Sequence, residues 1–338
     1  MGMKDTLERL CRAYGPTGRE SETSDVIEAM VSPYVDRVKR DAMGNLIAER
    51  KGGGKGRVML SAHMDEIGLM VIHIEKNGFL RVCAVGGVNP IRSAYRQVAF
   101  GNGVRGVVGV ETKKLRDTIK DPSKLTFNEM FVDIGAASCE EAAQQVEVGD
   151  VAVFMSDFMV MGGRVSAAAM DNRAGCAVQV EVLKALGESP MDLYAVFSAQ
   201  EEVGLRGART SAFGINPTVA VALDVTPAGD TPGSVPFTVD LGRGPAVKVL
   251  DSSVICNPSV IAWLEEAARR AGVAWQREVL TAGGTDAGAI QSSRGGVPSG
   301  VVSIPTRYVH SPAETVDISD MEGAAALIVQ ALETGYDQ

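Results

Sequence analysis

The chain has 338 residues, of which 45% are hydrophobic and 22% charged, and its 33 Lys and Arg against 42 Asp and Glu give a net charge of −9. This composition is typical of globular proteins and excludes disordered, collagenous and coiled-coil chains. The acidic balance argues against a nucleic-acid or anionic-membrane partner. A prior of roughly 150 residues per domain suggests about two domains.

The N-terminus and the cysteines indicate a cytoplasmic protein. The first ten residues carry charges and contain no apolar stretch of the kind found in a signal peptide. No apolar run reaches the length of a membrane-spanning helix, so no membrane association is expected. The five cysteines include no C-x-x-C pair, and we expect them to be reduced core thiols.

The first part of the chain predicts helices and then strands. Helical periodicity covers residues 5–13 and 19–31. The apolar period then changes to two in strands at 35–40, 45–50 and 57–62, which are separated by glycine-rich turns. These elements open a domain of mixed helix and strand.

Residues 67–162 are dense in short β runs and contain one helical stretch, 138–145. They predict an inserted β domain with the shape of a small barrel. The predicted strands are 68–74, 79–85, 97–100, 106–110, 130–134 and 150–154. Within them, Gly101–Gly106 matches the G-x-G-x-x-G pattern, but a β run follows instead of a helix, so the segment predicts a hairpin turn and not a nucleotide site.

After Gly162-Gly163 strands and helices alternate, which predicts an open, mostly parallel sheet covered by helices on both faces. The predicted strands are 193–198, 219–223 and 297–304, and the predicted helices are 174–186, 259–271 and 321–333. The sequence therefore predicts an α/β fold in which a catalytic domain, residues 1–66 and 163–338, is interrupted by the β domain.

Imidazole and carboxylate side chains follow four of the predicted strands and precede one helix. They are His63, Asp171, Glu201, Glu202, Asp224 and His310. The carboxyl ends of parallel strands open onto one crevice, so we expect these side chains to converge there.

Together with Asp65, the carboxylates of this set number five, and they could not all stay ionised in one cleft without cations. Two divalent metal ions would nearly balance them. Imidazole and carboxylate ligands without thiolate suit zinc, cobalt or manganese.

The local spacings indicate separate roles within this set. In His63-Met-Asp65 both outer side chains lie on one face of an extended chain, so Asp65 can accept a hydrogen bond from the imidazole and orient a metal ligand. Glu201 and Glu202 point to opposite sides, so one can bind metal while the other acts as general base toward an activated water.

The ensemble resembles the tetrahedral dinuclear metallo-aminopeptidases, also called glutamyl or deblocking aminopeptidases and often misnamed endoglucanases. The motifs that carry the resemblance are Ala62-His-Met-Asp-Glu-Ile-Gly68, Met170-Asp-Asn-Arg173, Gln200-Glu-Glu-Val-Gly-Leu-Arg-Gly-Ala208, Ala222-Leu-Asp224, Gly283-Gly-Thr-Asp-Ala-Gly288 and Arg307-Tyr-Val-His-Ser-Pro312. The resemblance extends from about Leu7 to Leu332.

The resemblance implies a role for each site residue. One metal ion is held by His63, Asp171 and Glu202, the other by Asp171, Asp224 and His310, with Asp171 bridging them. Glu201 is the general base and Asp65 orients His63. The insertion at 67–162 is implied to be a dimerisation domain in a dodecamer built from dimers. The chain departs from the family at Gly86-Gly-Val-Asn-Pro90, where Gly-Gly-Trp-Asp-Pro is usual.

We therefore expect a metal-dependent aminopeptidase that removes N-terminal residues from peptides with a free N-terminus. A deacylase or deacetylase of N-acyl amino acids on the same dinuclear site is the alternative, because the amide chemistry is shared. A glycoside hydrolase is disfavoured, since the adjacent Glu201 and Glu202 point apart and aromatic residues make up only 5% of the chain.

Overall fold

The computed structural model describes residues 2–113, 121, 124–234 and 239–337. This part of the chain forms a large mixed sheet covered by helices and, inserted into it, a closed barrel of six strands. The predicted fold class, an α/β sheet with an inserted β-barrel, is confirmed. Strands and helices are numbered below in chain order.

The large sheet has 11 strands, and its centre is parallel while its flanks are antiparallel. The order along it is β1-β2-β12-β3-β13-β16-β17-β11-β10, and β14 pairs with β15 and β16. The strands are β1 (Arg37–Arg40), β2 (Leu46–Arg50), β3 (Arg57–His63), β10 (Met159–Met161), β11 (Arg164–Ala167), β12 (Asp192–Ser198), β13 (Val219–Pro227), β14 (Ala246–Leu250), β15 (Gln276–Val279), β16 (Ser299–Arg307) and β17 (Glu314–Asp317).

Helices cover both faces of this sheet. They are α1 (Met3–Arg12), α2 (Ser21–Val31), α5 (Met170–Ala185), α6 (Arg206–Ile215), α7 (Pro258–Ala271), α8 (Asp286–Gln291) and α9 (Ile318–Thr334). Strand β3 shows why two layers are needed: Val58 and Leu60 lie in the core beneath α1, α5 and α9, whereas Met59 lies in the core beneath α6 and α8. Residues 58–62 of this strand are buried on both faces and are apolar except for Ser61. None of the helices in the described part of the chain has the length and apolar character needed to cross a lipid bilayer.

The barrel closes in the order β4-β5-β8-β7-β6-β9, with antiparallel pairing throughout. Its strands are β4 (Gly68–Ile74), β5 (Leu80–Val85), β6 (Gln97–Phe100), β7 (Arg105–Val110), β8 (Met130–Asp133) and β9 (Val151–Phe154). Two short helices, α3 (Pro90–Ser93) and α4 (Cys139–Ala143), lie in its connections. The glycine-rich segment 101–106 joins β6 to β7 as the predicted hairpin.

The polypeptide re-enters the large sheet directly after the barrel. The last barrel strand ends at Phe154, and Met159–Met161 already pairs with β11 of the large sheet. Several elements were not predicted: β10, β11, β14, β15, β17, α6 and α8. The strands among them are too short to show the two-residue hydrophobic period of a strand. Helix α6 contains glycine, serine and threonine, which have low helix propensity.

Strand register brings the predicted functional residues to one edge. In the parallel pair β12 and β3, Ser198 lies opposite His63. In the parallel pair β13 and β3, Ala222 lies opposite Ser61, which places Asp224 level with His63 two residues further on. The loops that follow β12 and β16 open at the same edge.

A fully buried arginine ties the N-terminal segment to this edge. Nη1 of Arg173 donates to the carbonyl oxygens of Leu10 and Ala13 and to the hydroxyl of Thr23. Nη2 lies 3.1 Å from a carboxylate oxygen of Glu66, whose pKa is raised by burial to about 7 although Arg173 lowers it. One buried side chain therefore binds backbone carbonyl groups of the N-terminal segment and neutralises a buried carboxylate.

We predict that Arg173→Met lowers the free energy of unfolding by about 3 to 5 kcal/mol, because it leaves the buried Glu66 carboxylate unpaired. Urea unfolding of the metal-free protein measures the change. Arg12→Met is the control: Arg12 pairs with Glu8 at 2.7 Å on the surface, and its loss changes stability by less than about 1 kcal/mol. Equal losses for the two variants would contradict the anchoring role.

Candidate metal centre and active site

One cleft of about 750 Å³ lies at the carboxyl edge of the parallel strands. It contains six of the residues singled out in the sequence: His63, Asp171, Glu201, Glu202, Asp224 and His310. His63 ends β3, and Asp224 lies within the last part of β13. Glu201 and Glu202 follow β12, whereas Asp171 lies in the irregular first turn of α5.

Asp171 lies between the two histidines. Its Oδ1 is 3.0 Å from Nε2 of His63, and its Oδ2 is 3.2 Å from Nε2 of His310. Each oxygen of one carboxylate thus faces a different imidazole, which is the geometry required of a residue that bridges two cations. The positive neighbours also lower the pKa of Asp171 against the effect of burial, which alone would raise it.

The remaining ligand candidates divide between the two histidines. Oδ1 of Asp224 lies 3.7 Å from Nε2 of His63, and Oε1 of Glu202 lies 3.4 Å from Nε2 of His310. Two groups of possible ligands result: His63, Asp171 and Asp224, and Asp171, Glu202 and His310. A third combination, of His63 with Glu201 and Glu202, also lies within reach of one ion.

This grouping differs from the assignment implied by the family resemblance, which places Glu202 with His63 and Asp224 with His310. Because β13 is the parallel neighbour of β3, Asp224 lies beside His63. Glu202 is on the loop after β12 and reaches His310 from the opposite side of the cleft.

Asp65 lies behind the cleft and holds three groups in place. Its backbone oxygen lies 3.2 Å and its Oδ1 3.5 Å from Nδ1 of His63. Its carboxylate also accepts the backbone N–H groups of Glu201 at 3.0 Å and Glu202 at 3.2 Å, and the hydroxyl of Thr17 at 2.7 Å. Burial would raise the pKa of Asp65, but these donors lower it below its usual value. Asp65 therefore fixes the imidazole and the loop of the two glutamates together.

The side chains of Glu201 and Glu202 diverge. Oε1 of Glu202 points to His310, whereas Oε2 of Glu201 lies 4.0 Å from Nε2 of His63. Burial raises the pKa of Glu201 well above its usual range, and the carboxylates of Asp224, Asp286 and Glu202 add to this shift, which His63 opposes. A carboxyl group with a raised pKa beside a cleft is suited to accept and return a proton.

Carboxylates outnumber the cationic side chains of Lys248 and Arg92 in the lining of the cleft. Burial raises the pKa of Asp224 to about 6, and it also raises that of Glu202, with Asp171 adding to both shifts. Burial would lower the pKa of His310, but Asp171 and Glu202 raise it to about 11. The raised pKa values of Asp224, Glu202 and His310 indicate that negative charge is crowded in the cleft, and divalent cations would neutralise it. The donor set of imidazole nitrogens and carboxylate oxygens fits two zinc-like ions.

Two buried carboxylates at the site were missed in the sequence. Oε1 of Glu314 accepts the backbone N–H of His310 at 2.7 Å, and its Oε2 accepts that of Asp171 at 3.0 Å. Oδ2 of Asp286 accepts the hydroxyls of Ser61 and Ser198. Glu314 follows His310 by four residues, and Asp286 stands in the Gly283–Gly288 motif, but only the tertiary contacts reveal what each one holds.

The sequence matches the family described as M42 glutamyl aminopeptidase over residues 44–327. A putative aminopeptidase of Acetivibrio thermocellus is 48% identical over 330 residues, which cover 98% of each chain. Among solved structures, aminopeptidase APDkam598 from Desulfurococcus kamchatkensis superposes with a TM-score of 0.94 at 37% identity, covering 99% of this chain and 95% of that one. The TET1 peptidase of Pyrococcus horikoshii, which can assemble into a tetrahedron or a large octahedral shell, gives a TM-score of 0.87 at 34% identity, covering 98% and 99%.

We predict that Asp65→Asn weakens divalent metal binding about 10- to 100-fold, because an amide cannot accept every hydrogen bond that the carboxylate now accepts. Metal titration of the chelator-treated protein measures the loss. Asp36→Asn is the matched control, since exposed Asp36 accepts a hydrogen bond from the Lys51 N–H outside the cleft. Unchanged metal affinity in Asp65→Asn would contradict the role assigned to Asp65.

Proposed function

The chain belongs to the M42 glutamyl aminopeptidase family, and on that premise we propose that it is a metal-dependent enzyme releasing N-terminal residues from peptides with a free α-amino group. The observation that carries the proposal is the Asp171 carboxylate, whose two oxygens face two separate histidine and carboxylate groups. Glu201 lies beside this pair of groups with its carboxyl in the cleft.

Two divalent ions, zinc or cobalt and less readily manganese, fit the two groups. His63 and Asp224 would hold one ion, Glu202 and His310 the other, and Asp171 would contact both. When bound, the ions polarise the scissile carbonyl group and lower the pKa of water. Asp65 and Glu314 keep the ligands oriented through the hydrogen bonds described above.

Glu201 carries the proton in the proposed reaction. As general base it accepts a proton from the attacking water, and as general acid it donates that proton to the nitrogen of the leaving amine. Its raised pKa and its position next to His63 suit both halves of the cycle. The side chain of Glu202 points away from Glu201 toward His310, and we therefore assign Glu202 as a metal ligand.

The charge of the cleft supports recognition of an unblocked N-terminus. Four carboxylates line it: Asp171, Glu201, Glu202 and Asp224. Lys248 also lines it, but this buried cation is already paired with Asp251 and Glu278 at 3.4 and 3.2 Å. A free amino group finds acceptors there, whereas an acylated nitrogen has lost its charge and all but one of its hydrogens.

The barrel segment, residues 67–162, is proposed to mediate self-association, with dimers forming a dodecamer. The tetrahedral assembly of the TET1 peptidase from Pyrococcus horikoshii supports this. Exposed apolar side chains on the segment, among them Ile72, Ile91 and Val148, are consistent with a covered surface. The proposed location is the cytoplasm, in keeping with five unbridged cysteines.

A panel of aminoacyl anilides tests the function directly. We expect hydrolysis of free-amine anilides, loss of activity on chelation, and recovery on addition of zinc, cobalt or manganese. N-acetylated anilides serve as the matched control and should stay intact. Hydrolysis of N-acetylated amino acids without cleavage of free-amine anilides would replace the aminopeptidase by the alternative deacylase.

Glu201→Gln separates proton transfer from metal binding. We predict that it still binds two metal ions per chain while turnover falls by about 10²-fold or more, because the amide cannot accept the proton. The adjacent Glu202→Gln is the comparison variant and should lose affinity for one ion. Loss of metal from Glu201→Gln, or retention of most of its turnover, would overturn the assignment of general base.

A further inference from the structure

The loop between β5 and β6 of the barrel reaches into the cleft and contacts His310. Gly87, Asn89 and Arg92 of this loop line the cleft beside the ligand candidates. The carbonyl oxygen of Gly87 lies 3.0 Å from Nδ1 of His310. Nη1 of Arg92 donates to the carbonyl oxygen of Val309, so the loop is also fastened to the residue before His310.

The contact with Gly87 decides which ring nitrogen of His310 is available. A carbonyl oxygen only accepts hydrogen bonds, so Nδ1 must donate its hydrogen to Gly87. Nε2 then faces Asp171 and Glu202 at 3.2 and 3.4 Å. A histidine that ligates metal through one nitrogen is oriented by the hydrogen bond of the other. The carbonyl oxygen of Gly87 thus contacts Nδ1 of His310 just as the backbone oxygen of Asp65 contacts Nδ1 of His63.

The position of Gly87 also requires a residue without a side chain. A Cβ atom built there would lie 2.6 Å from both Cε1 and Nδ1 of His310, which is closer than real Cβ contacts come. The backbone of Gly87 is not left-handed, so alanine is excluded by space and not by conformation. His310 has little room to retreat, because Glu314 holds its backbone N–H and Asp171 and Glu202 stand beyond the ring.

We propose that Gly87 is a positioning residue of the catalytic centre. Its carbonyl oxygen sets the tautomer and orientation of His310, and its missing side chain leaves the space that the ring occupies. The inserted barrel therefore supplies part of the metal site in addition to any surface for self-association. This inference rests on the metal-dependent function proposed above.

The test compares Gly87→Ala with Gly163→Ala in calorimetric titrations of the chelator-treated proteins with Zn²⁺. Gly163 is the matched control: its backbone is not left-handed either, and a Cβ there meets no atom within 4 Å. We expect the wild type and Gly163→Ala to bind two ions per chain. In Gly87→Ala, one ion should bind with nearly unchanged affinity and the other about 10- to 100-fold more weakly.

The other outcomes are decisive in different ways. Two ions bound by Gly87→Ala with wild-type affinities would overturn the inference. So would loss of both ions together with a lower melting temperature of the metal-free variant, since that result indicates general disruption instead of displacement of one ligand. A wild-type chain that binds no ion would overturn the proposed function, and this inference with it.

Discussion

One electrostatic constraint governs the site: four carboxylates lie in a single cleft with two imidazoles, Arg92 and a lysine, Lys248, that is already paired with Asp251 and Glu278. Burying each charge is unfavourable unless hydrogen bonds or opposite charges compensate it. Backbone N–H groups are such partners for two carboxylates behind the cleft, Asp65 and Glu314, and each of the two accepts a pair of them. Asp65 collects the N–H groups of Glu201 and Glu202, while Glu314 collects those of Asp171 and His310. Asp65 and Glu314 thus fix the backbone of the residues that line the cleft. The side chains of Asp171, Glu201, Glu202 and Asp224 are left to face one another in a space that suits cations.

The N-terminal segment contributes no ligand candidate, but hydrogen bonds connect it to the residues around the cleft. The guanidinium of Arg173 fastens the backbone around Leu10 and Ala13, and the segment returns the hydroxyl of Thr17 to the carboxylate of Asp65. Arg173 itself belongs to the same helix as Asp171. Contacts therefore connect the helix of Asp171, through the N-terminal segment, to Asp65, which contacts the imidazole of His63.

The central strands and the ligand candidates could be predicted from local sequence patterns, whereas residues that act through tertiary contacts could not. Long apolar runs such as the one that ends at His63 predicted the central strands to within a few residues, because burial on both faces leaves a continuous signal. The family resemblance implied a different division of the ligand candidates between His63 and His310 from the contacts in the structure, since those contacts arise from tertiary packing that no local spacing contains. Glu314 and Gly87 were given no role for a related reason: Glu314 accepts the backbone N–H of Asp171, and the carbonyl oxygen of Gly87 contacts His310, and each partner is distant in the sequence. The short strands β10, β11 and β17 carry too few residues to show a period.

The topology has a consequence for synthesis of the protein on the ribosome. The residues that converge in the cleft are spread from His63 to His310, and β17, which carries Glu314, is inserted between β16 and β11 late in the chain. Translation must therefore reach the last tenth of the polypeptide before the second histidine group can form. The barrel, by contrast, is closed by strands that end at Phe154 and can fold long before. A nascent chain therefore contains every strand of its barrel before it contains all the residues that converge in the cleft.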